Sequence, residues 1–185
     1  MSFKRELSSM EEDRHAMRST VSRDGLTVME SYSPKFHDRT VENARWADLT
    51  VAFAVDFTSP GERLTATAAG EDYLPFDLPH SGEELEDEGL RRRMATILAR
   101  RLESRADHVR LNVAGSTAAD LSRHGISQEQ ADAFVTDVLG RAVDEGLRIQ
   151  ELRTGGQSGI DEAGTKAALA LGIPASQVVP RGFLY

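Results

Sequence analysis

The stretch of the sequence best suited to chemistry is a glycine-rich segment between a predicted strand and a predicted helix. Its flexible or polar members are Gly155, Gly156, Gln157, Ser158, Gly159 and Asp161. The strand is predicted at 148–153, and an alanine-rich run at 160–171 predicts the helix. Glycines let an anion approach the backbone, and the first N–H groups of a helix are free to bind it. The segment therefore predicts a phosphate cradle, although a tight turn that binds nothing would need the same glycines.

Two further loops carry polar residues directly after predicted strands. The candidates there are Asp56, Ser59, Gly61, Glu62, Arg63, Thr65, Gly115, Ser116 and Thr117. Because ligands bind at the carboxyl ends of parallel strands, we expect these loops to converge with the glycine-rich segment. Hydroxyl and N–H groups suit a phosphate, and the Arg63 guanidinium would add a charged contact. The carboxylates of Asp56, Glu62 and Asp161 would hold ribose hydroxyls.

Helix capping offers a structural explanation for two of these acids. Ser59 and Glu62 form an S-x-x-E capping box with Pro60 at the first helical position. Asp161 falls in the first turn of its helix, where an acidic side chain is favourable by roughly 0.3–1 kcal/mol. Both the structural and the functional interpretation stay open for Glu62 and Asp161.

The order of predicted elements indicates an α/β protein. Strands are predicted near 49–55, 73–77, 109–114, 148–153 and 176–180, with a short strand around Val28. Helices are predicted at 39–47, 61–70, 83–105, 127–145 and 160–171, and a loop after Thr117. Strands that alternate with helices predict a parallel sheet covered by helices on both faces. Residues 1–26 are polar and predict a solvated arm, and 27–185 predict a single Rossmann-like domain.

The composition excludes several classes of protein. The chain has 185 residues with 39% hydrophobic residues, a formal net charge of −8 and no cysteine. A thiol nucleophile, a disulfide framework and a thiolate metal site are therefore excluded. No H-E-x-x-H motif, apolar membrane span or signal peptide is visible, so we expect a cytoplasmic protein without metal or cofactor. The composition is also compatible with a homo-oligomer.

The glycine-rich segment resembles a loop of a known superfamily. Residues 154–163 are similar to the pattern (S/T)-G-G-x-x-G-(I/V)-D-x-A. This pattern occurs in the Rossmann-like superfamily of DNA-processing protein A, the cytokinin-activating phosphoribohydrolases, the molybdenum-carrier-like proteins and the SLOG sensor domains. Residues 113–116 resemble its first strand and Gly-Ser turn. Residues 39–48, an R-x(8)-D stretch, and 61–69, a glycine followed by a small-residue helix, resemble its later half.

The two halves occur in the opposite order in this chain. In the superfamily the Gly-Ser strand and the Gly-Gly loop come first, whereas here 39–80 precede 109–180. We interpret the reversal as a circular permutation in which the helix at 83–105 bridges the halves, because the termini of compact domains often lie close together. The alternative is a pair of half-sized repeats, in which the loops at 59–65 and 155–161 correspond.

The resemblance implies a pocket for a nucleotide or nucleotide derivative in a sensor or carrier. A second hypothesis is an enzyme that cleaves or transfers at an N-glycosidic bond, with Glu62 or Asp56 as the acid. The phosphoribohydrolase motif P-G-G-x-G-T-x-x-E is absent, and Glu62 precedes Thr65 rather than following it, which argues against hydrolysis. A third hypothesis, nucleic-acid binding, conflicts with the net negative charge.

Overall fold

Seven strands form a single sheet in the computed structural model, which describes residues 20–103 and 108–183. They are β1 (Thr20–Arg23), β2 (Leu26–Glu30), β3 (Leu49–Ala54), β4 (Tyr73–Asp77), β5 (Val109–Gly115), β6 (Ile149–Thr154) and β7 (Ala175–Val179). Their order across the sheet is β1-β2-β7-β6-β5-β3-β4. Every neighbouring pair is parallel except β1 and β2, which are antiparallel. The predicted α/β class with a mostly parallel sheet is therefore confirmed.

The helices cover both faces of this sheet. They are α1 (Phe36–Trp46), α2 (Pro60–Ala69), α3 (Glu88–Leu102), α4 (Ala118–Arg123), α5 (Gln128–Asp144) and α6 (Ile160–Ala170). Helix α1 packs on α2, whereas α5 packs on both α3 and α6. Right-handed crossovers place these two groups on opposite faces. All six residues of β3 are buried, as expected for a central strand covered on both sides. Among the described residues, no helix is long and apolar enough to cross a membrane.

Two predictions about helices were wrong. The loop expected after Thr117 contains α4, which begins with a capping box between Thr117 and Asp120. The helix expected from residue 83 begins only at Glu88, because its N-cap is Asp87, whose carboxylate accepts a hydrogen bond from the Gly89 amide at 2.8 Å. The predicted cap at Ser81 opens a single 3₁₀ turn at Glu84–Glu86 instead.

The edge of the sheet includes residues that the sequence placed in the polar arm. Strand β1 and the start of β2 form a hairpin whose two turn residues are Asp24 and Gly25, with φ of 48° and 85°. Positive φ at both positions is typical of a type I′ turn, for which Asp-Gly is a favoured sequence. The first 19 residues of the predicted arm lie outside the described residues.

The strand order bears on the predicted permutation. If β5 is numbered as strand 1, then β6, β7, β3 and β4 become strands 2, 3, 4 and 5. In these numbers the order across the sheet is 3-2-1-4-5, as in doubly wound nucleotide-binding folds. Strands β3 and β4 are parallel neighbours in the same sheet as β5, so 39–80 do not form a separate domain. The permutation itself stays a prediction.

Candidate functional site

A cleft of about 130 Å³ opens at the carboxyl edge of the sheet, where β3 and β5 lie side by side. The chain leaves β3 towards α2 on one face, and it leaves β5 towards α4 and α5 on the other. Just beyond the strands, the Ser116 amide donates to the Phe53 carbonyl at 3.0 Å, and the Val55 amide donates to the Ser116 hydroxyl at 3.0 Å. This divergence is a topological switch point, the place where open parallel sheets bind ligands.

The structure brings nine of the predicted site residues to this cleft. These are Ser59, Gly61, Glu62, Thr65, Gly115, Thr117, Gly155, Gln157 and Asp161. Six residues that sequence reasoning did not assign to the site also line it, namely Arg39, Thr40, Asn43, Asn112, Ala114 and Asp120. The walls come from α1, α2, the end of β5 and the glycine-rich segment. Convergence of the three loops occurs as predicted, with α1 as an additional wall.

The other predicted residues lie elsewhere. Asp56 and Ser116 line an adjacent recess of about 90 Å³, together with His124. Arg63 is exposed on α2 and is not among the lining residues of the cleft. The lining also does not include Gly156, Ser158 or Gly159. The cation that the sequence assigned to Arg63 is supplied by Arg39.

The amides of the glycine-rich segment already bond within the protein. The Gln157 amide donates to Asp161 Oδ2 at 3.3 Å, and the Gly159 amide donates to Gln128 Oε1 at 2.8 Å. The Gly156 amide donates to the Thr154 hydroxyl at 3.3 Å. Asp161 thus occupies the anion position at the start of α6. The donors on which the phosphate-cradle prediction relied are therefore engaged by protein groups.

Two glycines of this segment serve different purposes. At Gly155, a Cβ atom would lie 2.5 Å from Arg39 Cζ and 2.6 Å from Asp161 Oδ2, so the missing side chain makes room for both charged groups. At Gly156, φ is 72° and a Cβ atom would lie 3.0 Å from Val179 Cγ1. Gly155 therefore permits the arrangement of the cleft, whereas Gly156 permits the turn.

We expect Gly156→Val to lower the free energy of unfolding by about 1–3 kcal/mol, because a branched side chain disfavours positive φ and would press on Val179. Urea-induced unfolding measures this change. Gly61→Val is the matched control, since no atom lies within 4 Å of its Cβ position and its φ is not positive. Equal losses in the two variants would contradict the structural role of Gly156.

Arg39 and Asp161 form the charged centre of the cleft. Only 6% of Arg39 and 7% of Asp161 is exposed. Arg39 Nη1 donates to the Gly155 carbonyl, and Arg39 Nε has no hydrogen-bond partner within the described chain. Burial raises the pKa of Asp161, and Arg39 and the amides of Gln157 and Gly155 oppose this. Burial also lowers the pKa of Arg39, which Asp161 opposes, so each charge is tolerated because of the other.

Glu62 is the acid whose environment favours proton exchange near neutral pH. It is 8% exposed, and burial, followed by the nearby carboxylates of Asp161 and Asp120, raises its pKa to about 7. The Tyr73 hydroxyl is close enough to oppose this rise. Even so, neither Glu62 Oε2 nor the Tyr73 hydroxyl makes a hydrogen bond of normal geometry to any described residue. Glu62 can therefore exist in both protonation states and can donate or accept a proton.

Two buried amide side chains complete the polar lining. Asn112 Nδ2 donates to the Thr50 hydroxyl at 3.2 Å, and Asn43 Oδ1 is buried without a partner in the described part of the chain. Since buried polar groups are nearly always hydrogen-bonded, a cleft whose lining residues hold several unpartnered atoms indicates a place for a polar ligand or water. These atoms belong to Arg39, Asn43 and Glu62.

The sequence contains only weak signals for the cleft residues that it did not predict. Arg39 belongs to the R-x(8)-D stretch on which the resemblance partly rests, but nothing local indicated that its side chain reaches Gly155. Asn112 is a polar residue between the buried apolar residues Leu111 and Val113 of a central strand, which was a usable signal. Within residues 20–103 and 108–183, no three histidine or acidic side chains converge as a metal site would need.

Comparisons with known proteins identified no relative of this chain. No family model, curated protein or solved structure matches the chain. The superfamily resemblance stays a prediction.

Proposed function

We propose that the cleft binds a nucleotide or nucleotide derivative, and that the protein acts as a sensor or carrier of it. The observation that carries this proposal is the set of buried, unpartnered polar atoms on Arg39, Asn43 and Glu62, side chains that line one cleft at the switch point. Desolvated donors and acceptors are costly unless a ligand or water bonds them. A switch point between parallel strands is also the usual position of a nucleotide site.

The ribose is the part of the ligand that suits the cleft best. The cleft has a volume of about 130 Å³, which is below the roughly 300–1,000 Å³ of sites that enclose a whole small molecule. Carboxylates and amides form hydrogen bonds with sugar hydroxyls. Three acidic residues and one arginine line the cleft, and this excess of acids disfavours a phosphate inside it. A phosphate at the mouth would lie against Ser59 and Gly61, at the positive end of the ten-residue helix α2.

The resemblance to the SLOG superfamily and the permutation belong to the same proposal. A strand order of 3-2-1-4-5, counted from β5, supports both, since the resemblance maps the superfamily's first strand onto β5. The position of Arg39 at the cleft supports the mapping of the R-x(8)-D stretch.

Isothermal titration calorimetry with the 5′-monophosphates of adenosine, guanosine, cytidine and uridine tests the proposal. We expect binding by the wild-type protein and at least a 5-fold weaker affinity for Asn43→Leu, since one ligand hydrogen bond is worth about 1 kcal/mol. Asn43→Leu should keep the wild-type stability, because it removes an unpartnered polar atom. Arg63→Ala, on the exposed side of α2, is the control and should bind normally.

Two results would reject this proposal. The first is a wild-type protein that binds none of the four nucleotides. The second is an Arg63→Ala variant that loses more affinity than Asn43→Leu, which would place the ligand on the outer side of α2.

Cleavage of an N-glycosidic bond is the second candidate, favoured by the pKa of Glu62 near 7. In hydrolysis, a water oxygen would bond to C1′ of the ribose and the C1′–N bond would break. The Glu62 proton would pass to the departing base, and a proton of the attacking water would return to the Glu62 carboxylate and leave a ribose hydroxyl. Asp56 does not suit this role, because it is exposed and hydrogen bonds from Thr58 lower its pKa. Chromatography of the incubated nucleotides for released base separates the enzyme from a binding module.

A further inference from the structure

Two exposed aromatic rings lie at the same edge of the sheet as the cleft. Phe36 is 45% exposed and Phe183 is 63% exposed. Their ring centroids are 5.9 Å apart, with an interplanar angle of 80°. Phe36 is the first residue of α1, and Phe183 follows the carboxyl end of β7. Large apolar rings that remain this exposed side by side offer a surface on which a flat ligand could stack.

Hydrogen bonds hold the backbone next to the second ring in place. Strands β2 and β7 run in parallel, and the segments that follow them stay connected. The Ser31 amide donates to the Val179 carbonyl at 2.8 Å, and the Arg181 amide donates to the Ser33 carbonyl at 3.0 Å. The Gly182 amide donates to Glu30 Oε1 at 2.8 Å. The backbone that carries Phe183 is therefore held beside Phe36, so little backbone ordering entropy opposes stacking on the ring.

Arg39 connects the two rings to the cleft. It lies three residues after Phe36, on the same side of α1, and its guanidinium carbon is 5.4 Å from the centroid of the Phe36 ring. The same guanidinium bonds the Gly155 carbonyl and lines the cleft. One side chain thus touches both the aromatic surface and the polar cavity, which places them within the length of one nucleoside.

We propose that Phe36 and Phe183 form the stacking surface for the base of the bound nucleotide. This inference rests on the proposed function, in which the ribose fills the cleft and the phosphate lies at the start of α2. The base then leaves the cleft on the α1 side and stacks on the face of Phe183, the more exposed ring, while Phe36, at 80° to it, borders the edge of the base. The Arg39 guanidinium lies beside this surface and adds a cation–π contact. Stacking does not read hydrogen-bonding groups, so the site accepts any base and favours purines for their larger area.

The test compares adenosine 5′-monophosphate with ribose 5-phosphate, which lacks the base. We expect Phe183→Ala to weaken the first ligand at least 5-fold in calorimetry and to leave the affinity for the second unchanged. Phe183→Trp should retain or improve the affinity for adenosine 5′-monophosphate. Ile97→Ala is the control, because Ile97 is 50% exposed on α3, on the opposite face of the sheet.

The outcomes separate this inference from the function on which it rests. If adenosine 5′-monophosphate binds wild type and Phe183→Ala equally, the stacking surface is wrong and the proposed function stands. If wild type binds neither ligand, the proposed function and the stacking surface both fail. If Phe183→Ala instead changes the molecular mass in sedimentation and weakens both ligands equally, the rings form an interface between copies of the chain, which also overturns the inference.

Discussion

Replacement of Arg39 by methionine is expected to lower the free energy of unfolding by about 3 kcal/mol at neutral pH. Asp161 is 7% exposed, and Arg39 is the cation that opposes the rise of its pKa. Removal of one partner leaves the other charge buried without compensation, and this usually costs more than the pair itself contributes. The Gly155 carbonyl also loses its hydrogen bond from Arg39. Urea-induced unfolding at pH 7 measures the loss.

A double variant separates the charge effect from the loss of packing. Arg39→Met combined with Asp161→Asn should recover most of the stability, because neither position then carries a charge and the asparagine oxygen can still accept from the Gln157 amide. Arg63→Met is the control, since its side chain is exposed, and should change stability by less than about 0.5 kcal/mol. A double variant that is less stable than Arg39→Met alone would contradict the electrostatic explanation.

The second large effect concerns Glu62 and pH. The folded pKa of Glu62 is raised from its ordinary value of 4.5 to about 7, chiefly by burial. The native state therefore holds this proton more tightly than the unfolded state does, so the stabilisation is present in full below pH 4.5. It is lost as the pH rises to about 7, and the gap corresponds to about 3 kcal/mol.

Glu62→Gln removes this dependence, because the amide stays neutral at every pH. We expect the variant to match wild type near pH 4 and to be more stable than wild type by up to about 3 kcal/mol at pH 8. Unfolding in urea across this pH range gives the two curves, and other titrating groups affect both alike. Glu83→Gln, which replaces an exposed acid, is the matched control with which the Glu62→Gln curve is compared. A constant difference between the Glu62→Gln and wild-type curves would contradict this account, because it would show that the pKa of Glu62 is the same in the folded and unfolded states.

Local patterns were enough to predict most of the secondary structure. The apolar run at 49–55 becomes the buried strand β3. The Ser59 cap begins α2 as predicted, with the Ser59 hydroxyl accepting from the Glu62 amide at 3.2 Å, but the Glu62 side chain does not complete the predicted capping box. Capping and strand burial act over a few residues, so the sequence contains the information directly. The Asp24-Gly25 hairpin and the capping box of α4 were equally local signals that the sequence interpretation missed.

The candidate site was only partly predictable. The convergence of three loops follows from a parallel sheet, in which strand ends meet at one edge. The residue types in these loops predicted that Glu62, Asp161 and Gly155 belong together in one cleft, but the structure gives some of them other roles than the sequence predicted. The glycine turn was expected to bind a phosphate, whereas its amides bond the protein's own acceptors.

By itself, the sequence determined the α/β class, most element boundaries and the loops that form the cleft. Only the tertiary structure decided which side chains enter that cleft, because this depends on strand order and on the rotation of each helix about its axis. Arg39 reaches Gly155 across 116 residues of sequence, whereas Arg63 lies on the exposed side of α2. The pKa of Glu62 likewise arises from burial between elements distant in the chain, and burial by distant elements leaves no mark on local sequence.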